Sequence, residues 1–216
     1  MKRREFSLAA SAAAAGALSL GASSSWAQGA APKEGKDYIK LGKPASVSAP
    51  AGKVEVVEFF WYSCPHCNAF EPQFEAWAKS QPADVVVRRV PVAFNASFVP
   101  QQKLYYALEG MNLLPQLHVK VFRTIHVDRN LLKNDDAIFD WVGKQGVDLA
   151  KFKEVYNSFT VANQARKAAQ LQNEYDVEGV PAMGVAGRYY TDGTKAGNME
   201  NVLRVVNALV ASSRKA

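Results

Sequence analysis

Two cysteines are all that this 216-residue chain contains, and only Pro65 and His66 separate them. Such a pair is a poor staple, because a bridge closing about four residues restrains the unfolded chain by only about 2 kcal/mol in the chain-entropy picture, against about 3 for fifteen. A chain of this length with 48% hydrophobic residues can bury enough apolar surface to do without it. Cys64-Pro65-His66-Cys67 therefore points to chemistry, and haem attachment, metal binding and redox cycling compete for it. In c-type haem attachment a histidine directly follows the second cysteine; here Asn68 does, which removes haem. A structural zinc site needs a second ligand pair. The remaining histidines, His118 and His126, lie eight residues apart in a stretch that reads as helical, where a surface position or a local partner is expected for each. Metal binding is thereby weakened, and a non-catalytic thiol or metal-binding module stays as the rival from a different class.

The surroundings of the pair favour redox cycling. Lys53 to Trp61 is a run of β-branched and aromatic residues that reads as a strand and delivers the chain to Cys64. Beyond it Phe70, Phe74, Trp77 and Ala78 recur at helical spacing, and Pro65 sits where the first turn of a helix tolerates proline. Cys64 is thus expected at a helix N-terminus. Asp84 to Val92 reads as a second strand, so strand, helix and strand make a βαβ unit with a parallel pair. From about Phe98 to Phe159 the apolar pattern is helical, with Pro100 and Pro115 in first turns, Gly143 or Gly146 as a stop and Asp148 as a cap. A further helix is predicted from about Val161 to Tyr175. Gly179-Val180-Pro181 then leads into a hairpin, Ala182 to Val185 and Arg188 to Thr191, with a further turn near Asp192-Gly193. A last amphipathic helix carries Val202, Val205, Val206 and Leu209, and Tyr38 to Leu41 reads as a short edge strand.

The first residues belong to export rather than to the fold. Lys2, Arg3 and Arg4 precede an uncharged alanine-rich stretch from Ser7 to Ser25, and Ser25-Trp26-Ala27 offers a small-x-small cleavage site, so residues 1–27 read as a removable signal. The apolar part, Leu8 to Leu20, is too short and alanine-rich for the roughly 20 strongly apolar residues of a spanning helix. Arg3-Arg4-Glu5-Phe6-Ser7-Leu8 is similar to a twin-arginine signal, but paired basic residues also precede general secretory signals, and both routes stay open. Removing the three basic residues and Glu5 lowers the formal charge from +6 to +4. The remaining Lys and Arg are scattered, which argues for solvated surface and against nucleic acid. A soluble mature protein, not embedded in a membrane, is expected.

A Cys-x-x-Cys opening the helix of a βαβ unit, a later Val-Pro before a hairpin and a terminal helix together resemble a thioredoxin fold. Glu58-Phe59-Phe60-Trp61-Tyr62-Ser63-Cys64-Pro65-His66-Cys67, the helical block and Gly179-Val180-Pro181-Ala182-Met183 narrow the resemblance to the DsbA family of periplasmic thiol:disulfide oxidoreductases. It covers about residues 38 to 212. The implied class is α/β, a thioredoxin fold with an inserted helical domain: residues 38–96 and 162–216 form the thioredoxin-like domain and 97–161 the insertion. Also implied are a periplasmic location, no cofactor, reduced unfolded exported proteins as substrates, a membrane reoxidant resembling DsbB, and a monomer. An acidic first cysteine and an oxidising pair are family properties that come with the resemblance. Independently of it, unpaired N–H groups at a helix N-terminus favour a thiolate at Cys64, and His66 can add an N–H or a charge. A thiolate favoured in the reduced state makes the Cys64–Cys67 disulfide an oxidant, with Cys64 the exposed nucleophile and Cys67 its buried partner.

Glu58 interrupts an apolar run in a strand expected to be covered on both faces, and a buried carboxyl needs a reason. The resemblance assigns it proton transfer with Cys67; a surface glutamate on a half-exposed strand is the alternative. The resemblance also implies a cis Val180–Pro181 bond beside the disulfide, with the backbone of Val180 free to pair with a substrate peptide. Phe59 and Phe60 are expected in the core, and Trp61 or Tyr62 is left to line a substrate groove. Isomerases of this fold carry an N-terminal dimerisation domain for which about ten residues leave no room. Reductases of cytochrome maturation are usually membrane-tethered with other residues between the cysteines.

Overall fold

The run Val-Glu-Val-Val-Glu-Phe-Phe forms strand β2 (Val54–Phe60), buried at every position. The computed structural model describes residues 31–214; the signal expected at residues 1–27 lies outside them. Alternate side chains of a strand point to opposite faces. Val54 and Val56 accordingly pack with Phe70, Phe74 and Trp77 of helix α1 (Pro65–Lys79), while Val57 and Phe59 join a second cluster with Leu104, Leu108, Phe152 and Tyr175. β2 pairs in parallel with β3 (Val85–Pro91), so β2, α1 and β3 form the expected βαβ unit. The edge strand predicted at Tyr38 to Leu41 is the two-residue β1 (Ile39–Lys40).

A short 3-10 turn (Ala96–Phe98) leads out of the sheet into the helical block. It divides into α2 (Val99–Gly110), α3 (Leu114–His126), α4 (Asp135–Lys144) and α5 (Leu149–Tyr156). The divisions follow local chemistry. Pro100 and Pro115 occupy first turns, the Asn134 side chain accepts from Ala137 N–H, and Asp148 accepts from Lys151 N–H, satisfying amides that have no partner within the helix. Gly146, with φ of 76°, follows α4 as the stop, whereas Gly143 lies within it. The next helix, α6 (Phe159–Glu174), begins two residues earlier than the apolar pattern suggested because Ser158 caps it.

The chain re-enters the sheet through β4 (Ala182–Val185) and β5 (Tyr189–Asp192), joined by a turn in which Ala186 and Gly187 both have positive φ, 54° and 66°. Two central residues of positive φ are what a tight hairpin matched to strand twist requires. The turn foreseen near Asp192-Gly193 is a short helical turn, α7 (Gly193–Ala196), with Asp192 accepting from Lys195 N–H. Helix α8 (Met199–Ser213) closes the chain and lays Val202, Val205, Val206 and Leu209 on the β2 face shared with α1. Among the described residues the sheet has five strands in the order β1-β5-β4-β2-β3, mixed in direction. β2 is flanked by parallel β3 and antiparallel β4, and the helical block lies between β3 and β4 in sequence. No helix among the described residues is long and apolar enough to cross a membrane.

Candidate active site

β2 ends at Phe60, and the chain turns at once: Cys64 N–H donates to the Trp61 carbonyl at 3.0 Å. Cys64 is the cap of α1 and Pro65 its first residue, as the sequence predicts. In that position its sulfur takes the place of a capping oxygen and accepts from Cys67 N–H at 3.3 Å. The Cys64 thiol is lowered to about 6, first by a hydrogen bond from the Cys67 thiol, against the opposing effect of burial, then by the backbone N–H groups of Cys67 and His66, and last by the electrostatic influence of His66. Burial pushes the Cys67 thiol far up, and the neighbouring Cys64 pushes it further. Of the two thiols Cys64 is therefore the one that ionises first, and above about pH 6 the charge of the pair lies on it.

Cys64 is not the exposed sulfur that was expected. The residue is only 7% exposed, against 1% for Cys67. The loop carrying the cis Val180–Pro181 bond closes over it, with Cys64 Sγ 3.3 Å from the Val180 carbonyl oxygen, to which it donates only in its protonated form. Pro65 and His66 are exposed instead, and His66 shares an open depression of about 440 Å³ with Val180, Pro181, Asp192 and Met199. His66, Val180 and Pro181 line this opening, while Cys64 lies beneath the Val180 carbonyl and Cys67 is buried behind it.

Glu58 lies below this group, 1% exposed, so the half-exposed alternative does not hold. Its strand neighbour in register on β3 is Arg89, whose Nε stands 3.2 Å from Glu58 Oε2, an ion pair without the alignment of a hydrogen bond. Arg89 is shared: its Nη2 also reaches Glu71 at 2.8 Å and Glu75 at 2.7 Å, both on α1. Burial outweighs the attraction of Arg89 and pushes the Glu58 carboxyl up to about 8, with Glu71 acting in the same direction. A carboxyl of this kind can hold or release a proton near neutral pH, and its charge acts on Cys67.

Arg89, Glu71 and Glu75 are the polar residues that the sequence reading missed. The four-residue spacing of Glu71 and Glu75 marks one helix face, and a basic pair, Arg88-Arg89, inside an otherwise apolar strand was the available signal. The histidines also differ from expectation. His118 is 6% exposed, with Nδ1 2.8 Å from the Tyr62 hydroxyl and Nε2 3.5 Å from Glu71, and His126 Nε2 is 2.8 Å from the Tyr62 carbonyl. Tyr62, 1% exposed and ringed by Phe60, Tyr105 and Phe122, is core and lines no groove. Trp61, half-buried, lies against Phe98 with ring centroids 4.1 Å apart.

Residues 55–204, which run from the second residue of β2 into the first half of α8, match the DSBA-like thioredoxin domain family. The chain belongs to the DsbA family. The thiol:disulfide interchange protein DsbA of Bordetella pertussis is 44% identical over 216 residues, covering 100% of both chains. That of Pseudomonas aeruginosa is 40% identical over 182 residues, 84% of this chain and 86% of the relative. The crystal structure of Pseudomonas aeruginosa DsbA superposes with a TM-score of 0.80 at 40% identity, over 85% of this chain and 95% of that one. The oxidoreductase NmDsbA1 of Neisseria meningitidis gives 0.75 at 27% identity, over 85% and 94%. As in the DsbA family, the architecture is a thioredoxin fold interrupted by helices between β3 and β4, and the protein is a thiol:disulfide oxidoreductase with Cys64 and Cys67 as its Cys-x-x-Cys pair.

Proposed function

We propose that this protein is an exported disulfide donor that oxidises newly exported, reduced and unfolded proteins in the periplasm. The observation that carries the reading is the position of the Cys64 sulfur, which accepts the Cys67 N–H at 3.3 Å at the start of α1 and holds the charge of the pair. Whatever stabilises the Cys64 thiolate stabilises the reduced protein relative to its disulfide, and so drives the disulfide to be given away. A substrate thiolate attacks Cys64 Sγ, the Cys64–Cys67 bond breaks, and Cys67 leaves and takes a proton. A second substrate thiolate then attacks the substrate sulfur of the mixed disulfide and expels Cys64 as a thiolate. The substrate loses two electrons and two protons; the enzyme gains both electrons and the Cys67 proton.

Glu58 is the group proposed to exchange that proton with Cys67, which its burial and its electrostatic link to Cys67 support. His66 and Pro65 present the amino end of α1 to the substrate, and the backbone of Val180 beside Pro181 pairs with the substrate chain. Residues 97–161 act as the helical insertion in a thioredoxin-like domain of 38–96 and 162–216, residues 1–27 as the export signal, and the protein as a monomer reoxidised by a membrane partner resembling DsbB. Equilibration with glutathione redox buffers tests the direction of electron flow. A potential more oxidising than the roughly −180 mV of protein disulfide isomerase is expected, and one as low as thioredoxin's, about −270 mV, would sink the donor reading while leaving the fold untouched.

A further inference from the structure

Tyr62 and Ser63 are the last residues before Cys64, and side chains from two helices of the block converge on them. His126 Nε2 is 2.8 Å from the Tyr62 carbonyl, and since a carbonyl only accepts, the ring nitrogen donates. Two turns earlier on α3, His118 Nδ1 meets the Tyr62 hydroxyl at 2.8 Å. From α2, Gln101 Nε2 donates to Ser63 Oγ at 2.7 Å and to the Leu131 carbonyl at 2.8 Å, tying Ser63 to the loop between α3 and α4. Tyr62, Gln101 and His118 are each less than 7% exposed, among the rings of Phe60, Tyr105 and Phe122.

Phenylalanine and leucine would fill that space as well, and a buried polar group left without a partner costs about 1–3 kcal/mol. What the polar contacts supply beyond packing is direction. The segment they grip is the turn closed by Cys64 N–H on the Trp61 carbonyl, and that turn decides where Cys64 Sγ lies relative to Cys67 N–H. We propose that His126, His118 and Gln101 are positioning residues for the reacting sulfur: through Tyr62 and Ser63 they hold the Trp61–Cys64 turn in the orientation that aims Cys64 Sγ at the amino end of α1. The helical block thereby tunes the thiol that sits on the thioredoxin-like frame. A supporting shell of this kind matters because a small misplacement of a reacting atom weakens every directional contact it makes.

The test reads Cys64 itself, so it stands whichever way electrons flow through the whole protein. In the reduced full chain, the pH midpoint for alkylation of Cys64 is measured for His126→Leu, His126→Gln and Tyr62→Phe. Leucine removes the donor to the Tyr62 carbonyl, whereas a glutamine amide can supply one from a similar place. Tyr62→Phe keeps the ring and removes only the hydroxyl bonded to His118. His126→Leu and Tyr62→Phe are expected to raise the midpoint by about half to one pH unit, a loss of about three- to tenfold in thiolate at pH 5, with His126→Gln at the wild-type value. Loss of stability alone would not move the midpoint of the folded protein. Wild-type midpoints in both His126→Leu and Tyr62→Phe would overturn the proposal, as would a shift in His126→Gln as large as in His126→Leu. Should His126→Leu not fold, Tyr62→Phe decides by the same criterion.

Discussion

Replacing Cys67 by alanine should make Cys64 a markedly weaker acid. The Cys64 thiol lies at about 6 rather than 9.0, a thousandfold change in the ratio of thiolate to thiol at a given pH, or about 4 kcal/mol. The hydrogen bond from the Cys67 thiol is the largest cause of that lowering, followed among the favourable ones by the N–H groups of residues 67 and 66. Cys67→Ala deletes the first and keeps the others. The midpoint should therefore rise above 6 and stay below 9, read from thiolate absorbance near 240 nm or from alkylation rates across pH. The sign for stability follows from the same depression. A thiol more acidic in the folded than in the unfolded chain stabilises the folded reduced protein fully above the unfolded value and loses that contribution as pH falls through about 6. At pH 7 the folded thiol is about tenfold ionised and the unfolded thiol almost not at all. The reduced protein should then gain about tenfold over the disulfide form relative to pH 5, about 30 mV in a two-electron couple beyond the ordinary pH dependence. A Cys67→Ala midpoint equal to the wild-type one would refute the assignment of the hydrogen bond, and a wild-type midpoint near 9 would refute the geometry of the whole amino end of α1.

Two further outcomes follow from buried groups on and beside the sheet. Burial raises the Glu58 carboxyl to about 8 from 4.5, so its contribution favours the folded state at low pH and is lost as pH rises through that window. Glu58→Gln should lack this loss, and urea unfolding at pH 5 and pH 9 should show the variant gaining on wild type at the higher pH; a difference independent of pH would show that the carboxyl stays charged in the fold. A Cβ on Gly184 would stand 2.4 Å from the Tyr175 ring, whose hydroxyl accepts from Gly187 N–H at 3.0 Å. Gly184→Ala should cost about 1–3 kcal/mol in denaturant unfolding, and a wild-type midpoint would mean that the ring swings aside without loss.

The frame was legible because it rests on short-range rules. Strand β2 announced itself by composition, α1 by Pro65 and an apolar stripe, and the block helices by their prolines and capping side chains, so the βαβ unit and Cys64 at a helix start followed directly. What escaped needs register or tertiary approach. Glu58 was visible as an anomaly, but that Arg89 answers it depends on the pairing of β2 with β3, which no local pattern states. Cys64 was expected exposed because the Val180 loop, 116 residues on, closes over it. Tyr62 and His118 looked like groove and surface residues because the direction in which α3 crosses the end of β2 is set by the packing of the whole block. The resemblance to a known family supplied the roles, and the structure supplied the distances.

The two apolar clusters on opposite faces of the sheet hold this fold without any covalent tie between distant segments, since both cysteines of the chain sit in one turn of one helix. A catalyst of thiol exchange built in this way does not need its own product in order to exist. A newly made copy can reach its folded shape before any oxidant has met it, and needs one only to form the bond between Cys64 and Cys67.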